Sequence, residues 1–129
     1  MDTPFLGHDG QRASVLLVED DPGVRRSLQL LLRSRGFEVR AYGAGRAMLA
    51  DSAAMDAALL VADFKLGDGD GIQILDALRQ KGWVGPAVLV TGFPSEDLEA
   101  RAAKAGFSRV LHKPLAEGAL ADTVERLLR

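Results

Sequence analysis

Short apolar runs without polar alternation, at residues 15–18, 57–62 and 87–90, recur between amphipathic stretches, and this rhythm constrains the fold more than any other feature of the chain. Strands that are apolar on both sides belong in a parallel sheet covered by helices on both faces. Residues 22–35 read as a helix, with Asp21 as its cap, Pro22 at the first helical position and Gly36 as a left-handed stop. Residues 37–42 alternate as a strand, and 44–50 form a short helix. Residues 71–81 place Ile72, Leu75 and Leu78 on one helical face. A helix over 94–105 is stopped by Gly106, residues 110–111 centre a short strand, and 117–128 form the last helix. Successive strand–helix units with right-handed crossovers predict an α/β fold. The natural architecture is a doubly wound, five-stranded parallel sheet with five helices.

At 129 residues, 47% hydrophobic and 26% charged, the chain is the size of one domain and can bury a core. The formal net charge is -2 and the basic residues are scattered, which argues against a nucleic-acid-binding face. Without cysteine there is no disulfide, thiolate metal site or Cys nucleophile, which fits a cytoplasmic location. No apolar run is long enough to cross a bilayer, so no membrane association is expected. Residues 1–13 read as a short flexible tail unlike a signal peptide, and residues 14–129 as the folded domain.

Ligands in doubly wound sheets bind beyond the carboxyl ends of the strands. There this sequence offers Glu19, Asp20 and Asp21 after the first strand, Asp63 at the third, Thr91 at the fourth, and His112-Lys113-Pro114 at the fifth. Crowded carboxylates raise one another's pKa unless a cation neutralises them. Mg²⁺ takes a few carboxylates together with waters and phosphate oxygens. A carboxylate can attack a phosphoryl group to give an acyl phosphate, with a metal and an ammonium holding charge on the transferring oxygens.

The segments VLLVEDDP from Val15, DFKLGDGDG from Asp63, Val90-Thr91-Gly92 and Lys113-Pro114 together resemble the response-regulator receiver (CheY-like) domains of two-component signalling. The resemblance covers about residues 14–128, and the region from Gly36-Phe37-Glu38-Val39 is most similar to receivers of transcription factors or hybrid kinases. It implies that Asp63 is the phosphoacceptor and that Asp20, Asp63 and the backbone carbonyl of Lys65 ligate Mg²⁺, with Glu19 acting through water. It further implies a flavodoxin-like strand order 2-1-3-4-5, that Thr91 hydrogen-bonds the phosphoryl group, that Lys113 pairs with it, and that the bond before Pro114 is cis. The expected partners are a sensor histidine kinase or phosphotransfer protein, a downstream protein, and for some receivers a second copy in a homodimer. Two positions depart from the pattern. Gly67 stands where a Pro is frequent, which predicts a looser loop. Val110 stands where a Tyr or Phe usually reports phosphorylation, which puts the usual relay in doubt.

Other readings of these residues are weaker. Asp21 is a helix cap before it is a metal ligand, and Asp68 and Asp70 are turn formers, Asp70 also a cap for the next helix. A calcium loop at 68–71 fails because its twelfth position is Arg79. Neither His8 nor His112 reads as a phosphohistidine or metal ligand, and Trp83 reads as structural. A Mg²⁺-dependent phosphatase forming an aspartyl-phosphate would carry D-x-D on its first strand, where this chain has Glu19-Asp20-Asp21. A protein-interaction domain that is never phosphorylated is the remaining alternative, and the full acid, Thr91 and Lys113 set speaks against it.

Overall fold

The computed structural model describes residues 12–129; the expected tail through residue 11, and His8 with it, lie outside the described residues. Five parallel strands form one sheet: β1 (Ser14–Val18), β2 (Glu38–Tyr42), β3 (Leu59–Asp63), β4 (Ala87–Thr91) and β5 (Arg109–His112). Their order across the sheet is β2-β1-β3-β4-β5, the doubly wound arrangement predicted from the apolar runs. The helices are α1 (Pro22–Ser34), α2 (Gly45–Leu49), α3 (Gly71–Gln80), α4 (Glu96–Ala105) and α5 (Ala119–Leu127).

Alternate residues of each central strand feed opposite faces, as the pleat requires. Leu16, Val18, Leu60, Ala62 and Leu89 pack with Met48, Ile74, Leu75, Leu78, Leu98 and Ala102 on the face covered by α2, α3 and α4. Val15, Leu17, Leu59, Val61, Val88 and Val90 pack with Leu32, Leu120, Ala121 and Val124 beneath α1 and α5. A one-residue slip in register would exchange these two sets, so two-sided burial fixes where each strand ends.

Local chemistry sets the helix ends. Asp21 accepts the Val24 N–H at 3.0 Å, and Asp70 and Gln73 form a reciprocal capping box at the start of α3. Gly36 and Gly106 adopt φ of 92° and 110°, the left-handed stops expected of them. Helix α4 starts later than its pattern predicts because Ser95 stays extended and accepts the Leu98 N–H. Helix α5 also starts later, after Gly118 at φ 77°. Apolar periodicity does not mark these points, since the caps rather than the core decide them. A 3₁₀ turn at Ser52–Asp56, capped by Asp51, occupies the approach to β3. Ala13 is buried, and its carbonyl accepts the Glu38 N–H at 3.0 Å. Trp83 is buried and donates to the Ala57 carbonyl at 2.9 Å, a structural role. Among the described residues no helix is long and apolar enough to cross a membrane.

Candidate functional site

Register carries the strand ends to one edge. Val18 lies opposite Ala62, Asp63 opposite Val90, and Thr91 opposite His112, so Glu19, Asp63, Thr91 and Lys113 emerge side by side. Glu19, Asp20, Asp63, Lys65, Thr91 and Lys113 all line a single cleft of about 280 Å³, as does Phe93. Every site residue expected from the sequence is therefore brought together. The cleft is smaller than those that bury a drug-sized molecule. It suits a small, charged group.

Glu19, Asp20 and Asp63 each offer a carboxylate oxygen, and these atoms lie within 4.8 Å of one another. Their protein partners differ. Glu19 has a nearly buried side chain; its Oε1 accepts from Lys113 Nζ at 3.0 Å and its Oε2 from the Asp21 N–H at 3.1 Å. Asp63 Oδ2 accepts from the same ammonium at 3.1 Å. Asp20 is exposed and, among the described residues, has no hydrogen-bond or ion-pair partner. The oxygens open to a cation therefore belong to Asp20 and Asp63, whereas Glu19 is already satisfied on both sides. A hard divalent cation with several retained waters fits such a set.

Lys113 is delivered by β5, whose last peptide is tied to β4 by the Lys113 N–H donating to the Thr91 carbonyl at 2.7 Å. The Lys113–Pro114 bond is cis. Burial works against the Lys113 charge, but hydrogen bonds to Glu19 and Asp63 outweigh it and hold the ammonium above its ordinary pKa. The Thr91 hydroxyl is buried and accepts the Phe93 N–H at 3.0 Å, which leaves its proton free to be donated. Helix α3 closes against the site because residue 71 is glycine: a Cβ there would lie 2.7 Å from the Asp63 carbonyl oxygen.

Two contributors were missed in the sequence. Arg25, one helical turn into α1, donates from Nη1 to the Glu19 carbonyl at 2.9 Å and fixes the end of β1. Its spacing of four from Asp21 puts it over the helix entrance, the signal that was available. Asp68 accepts from the Gly45 and Arg46 amides at 3.2 and 3.0 Å, linking the loop after β3 to α2. Its partners are 22 and 23 residues away, beyond any local pattern. His112 pairs with Glu99 at 3.0 Å, outside the cleft.

Known proteins resemble this chain in sequence and fold. The family described as response regulator receiver domain matches residues 15–125. Nodulation protein W of Bradyrhizobium diazoefficiens is 35% identical over 113 residues, covering 88% of this chain and 50% of that protein. The C4-dicarboxylate transport transcriptional regulatory protein DctR of Rhodobacter capsulatus is 33% identical over 111 residues, covering 84% and 56%. The chain thus spans about half the length of these curated relatives. Among solved structures, chemotaxis protein CheY4 of Vibrio cholerae superposes with a TM-score of 0.84 at 24% identity, covering 90% of this chain and 98% of that one, a likeness of fold. FixJ-N superposes with a TM-score of 0.79 at 29% identity, covering 91% and 94%. Sequence, sheet order and strand-end acids converge, and the chain belongs to the response-regulator receiver-domain family of two-component systems.

Proposed function

We propose that Asp63 accepts a phosphoryl group from the phosphohistidine of a sensor kinase or phosphotransfer protein, in a Mg²⁺-dependent reaction. The observation that carries this reading is the Lys113 ammonium, 3.1 Å from Asp63 Oδ2 and 3.0 Å from Glu19 Oε1, beside three converging carboxylates. One carboxylate oxygen of Asp63 bonds to phosphorus as the phosphorus–nitrogen bond of the donor breaks, and the electron pair returns to the imidazole. When bound, Mg²⁺ neutralises charge on the carboxylates and on the transferring oxygens. Asp20, Asp63 and the Lys65 carbonyl hold the ion, and Glu19 acts through a water. Thr91 donates its free hydroxyl proton to a phosphoryl oxygen. Lys113 exchanges part of its bonding to Asp63 for the phosphoryl group. Phosphorylation then alters which downstream protein the domain binds, so the chain is a cytoplasmic signalling phosphoacceptor and not a turnover enzyme. The receiver comprises residues 14–129. The position of Asp63 on β3, with Glu19-Asp20-Asp21 following the first strand in place of D-x-D, favours this over a phosphatase.

Acetyl phosphate should label the protein only with Mg²⁺ present, as an alkali-labile product, and Asp63→Asn should abolish the label. Label retained on Asp63→Asn would show that another residue is the acceptor.

A further inference from the structure

The loop from Asp63 to Gly71 is clamped at its base and at its tip by different devices. At the base, Lys65–Leu66 pairs antiparallel with Gly69–Asp70, and the Gly71 N–H donates to the Phe64 carbonyl at 2.9 Å. At the tip, Gly67 has no side chain to brace it; a Cβ there would meet only Asp20 Oδ2, at 4.0 Å. Glycine leaves more backbone freedom than any other residue, so this segment depends on its neighbours for a fixed shape.

Asp68 supplies the bracing. Its Oδ1 accepts the Gly45 N–H at 3.2 Å, and its Oδ2 accepts the Arg46 N–H at 3.0 Å and lies 3.8 Å from Arg46 Nε. Those amides open α2, whose own cap residue, Ala44, offers no side-chain acceptor. The Arg46 amide is the chief cause holding the Asp68 carboxyl below its ordinary pKa. A carboxylate in the loop thus completes a helix on the other side of a cleft lined by Gly45, Arg46, Asp68 and Gln73. The same loop carries Lys65 three residues earlier and lies against Asp20.

We propose that Asp68 is a positioning residue for the Mg²⁺ site: by capping α2 from the loop, it holds the Lys65 carbonyl in register with Asp20 and Asp63 where Gly67 supplies no stiffness. The proposal rests on the Mg²⁺ reading above. A ligand atom on an unbraced loop must be ordered when the ion binds, and that ordering weakens affinity. Residues supporting metal ligands from behind typically change affinity by about tenfold or more.

Calorimetric titration of the whole chain with MgCl2, alongside metal-free thermal melts, tests this. Asp68→Ala should weaken Mg²⁺ binding about tenfold. Asp68→Asn keeps one of the two acceptors that the Gly45 and Arg46 amides use, and should weaken binding by less than Asp68→Ala. Ala44 is extended and suits a capping side chain, so Ala44→Ser added to Asp68→Ala should restore melting temperature without restoring Mg²⁺ affinity. Unchanged affinity in Asp68→Ala would overturn the proposal, because a purely structural cap moves only the melt. Recovery of affinity in the double variant would assign the effect to α2 itself. Absence of Mg²⁺ binding in wild type, or binding indifferent to Asp20→Asn, would instead sink the reading beneath it.

Discussion

The ammonium of Lys65 sits 4.2 Å above the ring centroid of Phe93. These side chains follow Asp63 and Thr91 by two positions each and belong to residues that line the cleft, with Phe93 two-thirds exposed. On the function proposed above, an exposed ring held by a cation beside Asp63 would hinder the approach of water to its phosphoryl group. Exposed cation–π contacts are worth about 0.5–1 kcal/mol. Phe93→Ala should therefore speed loss of the phosphoryl group about two- to fivefold. Lys65→Ala should do nearly the same, and the double variant should add little because the two act as one contact. Decay of the phosphorylated protein in Mg²⁺ buffer measures all three, and rates indifferent to Phe93 would remove this hindrance from the mechanism.

Lys113 balances the charge of Glu19 and Asp63 in the metal-free fold. Glu19 is nearly buried, and without the ammonium its carboxylate keeps, among the described residues, only the Asp21 amide as a partner. Removing one member of a fully buried pair costs about 3–5 kcal/mol. Lys113 is 31% exposed, so solvent screening reduces this, and Lys113→Met should cost about 1–2 kcal/mol. Added Mg²⁺ should recover more stability in the variant than in wild type, since it supplies the missing positive charge. Denaturant melts with and without Mg²⁺ decide this. An equal gain in both proteins would mean that the ion binds away from the acids Lys113 neutralises.

Much of this site was legible because strand-end positions depend on burial pattern alone. Val15 to Val18 and residues 87–90 must lie inside, so Glu19 and Thr91 must lie at the edge, whatever the loops do. What stayed hidden depends on long-range contacts or on caps. Asp68 reads as a turn former, and nothing near it in sequence shows that its partners are the first amides of α2. The starts of α4 and α5 moved for a similar reason: Ser95 and Gly118 choose extended and left-handed backbones that apolar spacing does not report. Gly67 predicted a loose loop, yet the paired ribbon and Asp68 provide tethers that no residue-by-residue pattern contains.

Tyr42, the one tyrosine of the chain, donates to Asp51 Oδ2 at 2.6 Å, joining β2 to the 3₁₀ turn before β3. Burial and then this hydrogen bond push its phenol up to about 12. A raised folded-state pKa means that the proton is bound more tightly in the folded chain than in the unfolded one, where tyrosine titrates near ~10. The contribution is therefore complete below about pH 10 and is lost as pH rises through the folded value. Lys113, also raised, adds loss in the same direction. Stability should fall steeply on the alkaline side, and Tyr42→Phe should flatten that fall while lowering stability at neutral pH by about 1 kcal/mol. Ultraviolet titration of the single phenol reads the midpoint directly; a midpoint near ~10 would mean the Asp51 bond does not form in solution.

On the function proposed above, Val110 bears on how a signal would leave Asp63. The Thr91 hydroxyl accepts the Phe93 N–H at 3.0 Å, so when it turns to a phosphoryl oxygen that amide must find another acceptor. The segment from Gly92 to Ser95 is exposed, and Ser95 in turn caps α4 through the Leu98 amide at 3.0 Å. A displacement of this segment is passed to α4 by its cap, and α4 is tied to β5 by Glu99 and His112 at 3.0 Å. Val110 sits partly buried in β5, packed on the core beneath α3 and α4. It has one stiff torsion and no ring to exchange between inside and outside. A population shift needs contacts that differ between the two states, and Val110 contributes almost none. Phosphorylation should therefore move the 92–95 segment and the start of α4 much more than β5 and α5. Beryllofluoride titration followed by backbone NMR reads this residue by residue. Amide changes at Val110 and through Ala119–Leu127 as large as those at Gly92 to Ser95 would show that the switch passes through β5 after all.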